Sequence, residues 1–337
     1  MARQRIEYID AMRGFTMILV IFSHICNYCL GDRWMGFNDV FFLFRLPCFF
    51  FISGWLFCKA DRRWDSVTIR DVVKRKFMVQ IVPTFIFLLI LAPPPMFFSR
   101  LGATKGGYWF TFALFEFFVI YILSARYFRK WEGAVALTVS VLSFCYDAFY
   151  HRWASDMGWP SSLLGFLSFS TWRYYLFFYF GIVVKRHFAL FLQWIGKTEF
   201  FLLVVIVFAL LTQIPHTNSL AQEYLVFAVG GLSGLTMVFA FFYRFSAAFT
   251  KEKLLGRSLQ YVGTRTLDVY LLHYFFLPRF LLPHGELLRA YDCKLLEFFV
   301  ASCLAVLVLM ASLFASRIIR QSPLLARYLF GVQTKSN

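Results

Sequence analysis

The sequence predicts an all-α integral membrane protein: about ten transmembrane helices around a central polar cavity, with both termini cytoplasmic. Three observations carry that expectation. Apolar residues make up 60% of the 337 and charged residues only 15%, where soluble domains carry nearer a quarter charged. The apolar residues fall in runs of spanning length parted by short polar punctuation, and the basic residues gather in alternate gaps between them. So much apolar side chain cannot be hidden in one compact core of this length and must face lipid.

The first run, Ala11–Leu30, holds Arg13 and His24. No A-x-A-like site follows it, so it reads as a retained span rather than a cleaved leader. The second, Val40–Phe57, contains Arg45 and Pro47; the third, Phe77–Phe97, contains Pro83 and Pro93–Pro95. These prolines should kink or end helices. The fourth, Trp109–Leu123, carries Glu116, and the fifth, Gly133–Tyr146, is short. The sixth, Leu163–Val184, carries Arg173, the seventh, Phe200–Ile214, is short, and the eighth is Tyr224–Tyr243. The ninth, Leu259–Leu282, holds Arg265, Asp268, His273 and Arg279, and the tenth is Leu295–Ile319. With no repeat, linker or soluble appendage visible, residues 1–337 read as one transmembrane domain.

Charge sets the orientation. With both termini on one side, 23 of the 34 basic residues fall on that side, six on the other and five within spans. The positive-inside rule makes the richer side cytoplasmic, and an odd number of spans would destroy the asymmetry. The net charge of +16 is therefore loop charge rather than a nucleic-acid surface. The 46 phenylalanines, 17 tyrosines and 9 tryptophans fit lipid-facing surfaces and interfacial belts, and exceed what those roles demand. Seven cysteines, mostly in apolar runs, do not suggest a disulfide framework. Cys26 and Cys29 have CxxC spacing with no second pair to complete a metal site, so no metal is expected.

A charged group in hydrocarbon costs on the order of 2.5–3.5 kcal/mol on insertion scales, so each one calls for a reason. Arg13 and His24 are eleven steps apart, which returns to nearly the same helix face about 16 Å along the axis. His24 and His273 each lie about 14 residues into their spans, and Glu116 about seven from the outer end of an inward-running span. At about 1.5 Å per residue, all three come to about 20 Å from the cytoplasm. Two imidazoles and a carboxylate at one depth can make a buried acid–base cluster. Arg13 snorkelling to headgroups and His24 bonding a neighbouring helix is the plainer alternative. Arg265, near the depth of Arg13, can join it and the Lys74, Arg75, Lys76 run in a cytoplasmic anion funnel, although that run also suits ordinary positive-inside charge. Arg45 and Arg173 either line a cavity or pair with an acid. Asp268, three residues from Arg265, can partly neutralise it.

Five segments in order resemble the membrane-bound acyltransferase-3 family. IDAMRGFTMILVIFSH carries the Arg13-x10-His24 spacing, and FRLPCFFFISGWLF matches at Pro47, Phe50, Ser53 and Gly54. WFTFALFEFF, from Trp109, is similar to the family's fourth span, and FFYFGIVVKR to the span that ends at a glycine, Gly181, before a basic loop. VGTRTLDVYLLH matches at Gly263, Thr266, Tyr270 and His273. The chain departs at Arg45, where many members have histidine, and has Lys76 and Gln80 ahead of Pro83 where many carry paired arginines.

The resemblance implies an O-acyltransferase of the cytoplasmic (inner) membrane. It would move an acyl group, usually acetyl, from acetyl-CoA or another cytoplasmic acyl-CoA to a hydroxyl of an extracytoplasmic or lipid-linked carbohydrate. His24 would deprotonate the acceptor or take the acyl group itself, with Glu116 or His273 orienting it. Arg13, Arg265, Lys74, Arg75 and Lys76 would meet the CoA anion. Arg45, Arg173, Trp109 and Tyr270 would line the substrate path, with Trp109 and Tyr108 also suited to interfacial anchoring. A transporter or flippase for an amphipathic substrate is the competing reading, since intramembrane His, Glu and Arg serve proton relays equally well.

Overall fold

A computed structural model of the chain describes residues 6–32, 34–59, 62–91, 105–150, 167–214 and 219–332. Among these, every regular element is a helix. In chain order they are α1 (Glu7–Tyr28), α2 (Asn38–Phe57), α3 (Ser66–Lys76), a π-helical segment (Phe77–Ile81), α4 (Val82–Leu91), α5 (Trp109–Tyr127) and α6 (Glu132–Phe149). There follow a 3-10 segment (Phe169–Tyr174), α7 (Tyr175–Arg186), α8 (Phe188–Gly196), α9 (Thr198–Thr212), α10 (Leu220–Arg244), α11 (Leu254–Thr264) and α12 (Thr266–Phe276). The chain continues through α13 (Gly285–Arg289), α14 (Lys294–Ile319) and α15 (Pro323–Phe330).

Six described helices are long and apolar enough to cross a membrane: α1, α2, α5, α6 with the 3-10 turn Arg129–Trp131 that leads into it, α10 and α14. They match the first, second, fourth, fifth, eighth and tenth expected spans. The other four differ in form. The third begins as the polar helix α3, SVTIRDVVKRK, passes through the π segment and becomes the apolar α4; its end beyond residue 91 lies outside the described residues. The sixth, whose first residues also lie outside them, is the 3-10 segment plus α7, and with α8 it makes a broken seventh candidate. The seventh is α9, apolar but only 15 residues long. The ninth is broken at Arg265 into α11 and α12. Hydropathy sees the apolar total of such a segment and is blind to a break at one residue.

The chain divides into two compact units. The first comprises residues 1–52, 188–215 and 226–319, and α1 is its axis, packed against α11, α12 and α14. Two glycines allow the closest approach. A Cβ on Gly14 would stand 2.0 Å from the Leu259 carbonyl oxygen, and one on Gly263 would stand 1.9 Å from that of Asp10. Each glycine thus lies against the backbone of the facing helix, the small-residue contact by which membrane helices pack closely.

The second unit comprises residues 53–187, 216–225 and 320–337. Its α3–π–α4 run packs on α5 and α15, and α6 packs on the 3-10 segment and α7. Aromatic rings fill it: Phe57, Phe118 and Phe178 meet with centroids 4.5–6.3 Å apart. Phe50, Phe51 and Phe239 in the first unit and Phe117, Phe177 and Phe178 in the second are almost wholly enclosed. The aromatic excess that lipid-facing roles leave over is core packing.

Candidate active site

The first unit assembles its polar groups along α1. Arg13 donates from Nη2 to the Thr266 hydroxyl at 2.8 Å, and its other terminal nitrogen is 3.9 Å from Asp10. Thr266 opens α12, just past the break at Arg265. At the far end of the same pairing, His24 Nδ1 and His273 Nε2 are 2.7 Å apart. Arg13 meets the start of α12 and His24 its last turn, so α12 runs alongside α1 in the same sense. The stripe expected on α1 therefore has a matching stripe on α12.

The imidazole pair has a direction. Its ring planes are 11° from parallel with centroids 4.9 Å apart, which suits an in-plane hydrogen bond. His273 Nδ1 lies 3.1 Å from the Val269 carbonyl oxygen. A carbonyl can only accept, so His273 Nδ1 carries the proton. With both rings neutral, His273 Nε2 is then the acceptor and His24 Nδ1 the donor. That leaves the lone pair of His24 on Nε2. His273 is wholly buried, while His24, the ring whose lone pair is not used in the pair, is less enclosed.

Three tyrosines surround the pair. Tyr274 lies 4.2 Å from His273 and 5.1 Å from His24, Tyr28 lies 5.5 Å from His24, and Tyr270 lies 6.0 Å from His273, all between ring centroids. Sequence reasoning names Tyr270 but misses Tyr28 and Tyr274. Tyr28 is four residues after His24, on the same helix face, so helical spacing could have found it.

Arg45, almost fully buried, donates from Nη1 to Asn38 Oδ1 at 2.9 Å, and Asn38 Nδ2 donates to the Ser23 hydroxyl at 3.3 Å. This chain fixes Arg45 to the residue beside His24. Asn38 and Ser23 were also missed, although Asn38 is two turns from Arg45 on one face of α2. Arg265 stacks its guanidinium 3.8 Å over the Tyr261 ring. Asp268 accepts from the Ser316 hydroxyl at 2.6 Å, which ties α12 to α14.

The remaining candidates belong to the second unit. Glu116 accepts from the Trp172 indole at 2.7 Å. Arg173 takes the ion-pair alternative, with Nη1 2.5 Å from Asp147. Trp109 stacks on Tyr174, centroids 6.2 Å apart. Lys76 turns inward over Phe118 at 3.8 Å, whereas Lys74 and Arg75 stay exposed. Because Arg173 and Asp147 are each less than a quarter exposed, Asp147→Ala removes the counter-charge of a largely buried cation. It is expected to lower stability by about 3 kcal/mol, read as a fall in the detergent melting temperature, with Asp147→Asn losing less.

A sequence profile of the acyltransferase-3 family, described as an acyltransferase domain, matches residues 6–317. No curated protein and no solved structure matches the chain. The match takes in both ends of the Arg13–His24 stripe and the α12 segment that faces it, and on that extent the chain belongs to the acyltransferase-3 family of membrane acyltransferases.

Proposed function

We propose that the protein O-acylates an extracytoplasmic or lipid-linked carbohydrate in the cytoplasmic membrane, using cytoplasmic acetyl-CoA as donor, with both termini in the cytoplasm. The observation that carries this reading is the 2.7 Å imidazole pair, which leaves the lone pair of the part-buried His24 on Nε2, in a chain of this family.

The acceptor hydroxyl gives its proton to His24 Nε2 as its oxygen attacks the thioester carbonyl. The C–S bond then breaks, and the leaving thiolate recovers that proton as CoA thiol, so the products are an ester and free CoA. Charge that develops on the His24 ring is shared through Nδ1–H with His273, whose own proton is anchored on Val269. His273 acts through His24 and is a positioning residue, the role that a third group plays for a general base. Arg13 and Arg265 attract the anionic end of the donor from the cytoplasmic side. The Arg13–His24 separation of about 16 Å suits a donor whose phosphates stay at one end while its thioester reaches the other.

Purified protein given acetyl-CoA and surface glycan should release free thiol only when the acceptor is present, with one acetyl mass added to the glycan. A carrier would bind solute and leave the thioester intact. Arg13→Gln should raise KM for acetyl-CoA about tenfold, as loss of one charge-assisted hydrogen bond predicts, with kcat much less affected. An unchanged KM removes Arg13 from donor binding.

A further inference from the structure

The second unit contains a cavity of about 480 Å³ to which the transfer steps proposed above assign no part. It is lined by Asp71, Lys74, Arg75, Met78, Val79, Val82, Arg327, Tyr328, Gly331 and Val332. Its lining combines two chemistries. Lys74 and Arg75 lie in the last turn of the polar helix α3 and Arg327 in that of α15, so two helix ends bring three cations to its lining. Met78, Val79, Val82 and Val332 give the rest an apolar wall. The single acid, Asp71, is 3.7 Å from Arg70 Nε and is partly offset by it.

The backbone builds this cavity. The π-helical segment Phe77–Ile81 supplies Met78 and Val79, and such segments open a helix locally, often at functional positions. The short helix α15 is closed at both ends. Ser322 accepts from Leu325 N–H at 3.4 Å, and Gly331 ends it at φ 63°, where a Cβ would meet the Val79 oxygen at 2.5 Å. Phe330 stacks beside Phe87. Glycine is needed there both for the left-handed turn and for the approach to Val79, and the contact holds the end of α15, with Arg327, at the cavity that Lys74 and Arg75 also line.

We propose that this cavity binds the phosphate headgroup of an anionic phospholipid, with the first carbons of its acyl chains against Met78, Val79 and Val82. Three cations and a set of apolar side chains lining one cavity, at the point where a polar helix becomes an apolar one, suit the section of a lipid at the membrane surface. Basic pockets on the cytoplasmic side of membrane helices are suited to such headgroups. CoA offers phosphates too, but has no long apolar chain to place along that wall.

Native mass spectrometry of the full-length protein in zwitterionic detergent tests this independently of turnover. Dioleoyl phosphatidylglycerol should bind at least about tenfold more tightly than dioleoyl phosphatidylcholine, each nearby cation contributing about fivefold. Arg327→Glu should abolish that preference and Arg327→Lys should keep it, while Lys74→Gln with Arg75→Gln should cost at least tenfold. Equal binding of the two lipids, or a preference that survives Arg327→Glu, overturns the proposal. So does CoA displacing phosphatidylglycerol in a way that Arg327→Glu weakens equally, because the cavity would then be a donor site.

Discussion

His24→Ala is expected to lower acceptor-dependent CoA release about a thousandfold while the protein still inserts and purifies. The size follows from the role: a positioned general base contributes about 10²–10⁴ in rate, and alanine leaves no group to take the acceptor proton. His273→Ala should cost less, about 10–100-fold, the scale seen when a hydrogen-bond partner that orients a metal-bound histidine is lost. The two effects should not add, because His273 acts only through the His24 ring. His273→Gln separates positioning from bulk, since its carbonyl can still accept from His24 Nδ1–H and should recover part of the rate. Full activity in His24→Ala would end the proposed chemistry. A loss in His273→Ala as deep as in His24→Ala would move the reacting lone pair to the other ring. Release of one CoA per protein without acceptor would instead mark His24 as a carrier of the acyl group.

The reach of sequence reasoning differs by element. The Arg13–His24 stripe was legible because helical periodicity fixes which residues share a face, and both residues lie within one unbroken helix. The His273 partner was legible only as a matched depth, and that estimate assumed one continuous ninth span. The structure breaks it at Arg265 and still brings the ring within 2.7 Å of His24. Asn38 and Ser23 escaped notice because an uncharged polar residue near a helix end looks like punctuation until a buried arginine needs an acceptor. Lys74, Arg75 and Lys76 read as one run of charge, yet helical geometry turns successive residues about 100° apart. Lys76 lies over Phe118 while its two neighbours line a cavity. Only tertiary packing divides such a run, and no pattern in the sequence states it.

Gly263→Val is expected to prevent stable folding, and Gly14→Val likewise, with recovery of folded protein from detergent as the readout. At each position the first added carbon would stand 2.0 Å or less from a backbone carbonyl oxygen, where neither atom can rotate away. Relief requires α1 and α11 to separate, and overpacking of this kind typically costs 1–3 kcal/mol, more where backbone must move. Separation would also part Arg13 from Thr266 and draw α12 from α1, so the His24–His273 bond should fail before the fold does. Alanine at either position is the sharper probe. It brings the same close carbon without the two further methyls of valine, and should yield folded protein with a lowered melting temperature and a turnover loss approaching that of His273→Ala. If Gly263→Ala were stable and fully active, the helix crossing would not be what registers the two imidazoles. The break at Arg265, which sets where α12 begins, would then carry that task.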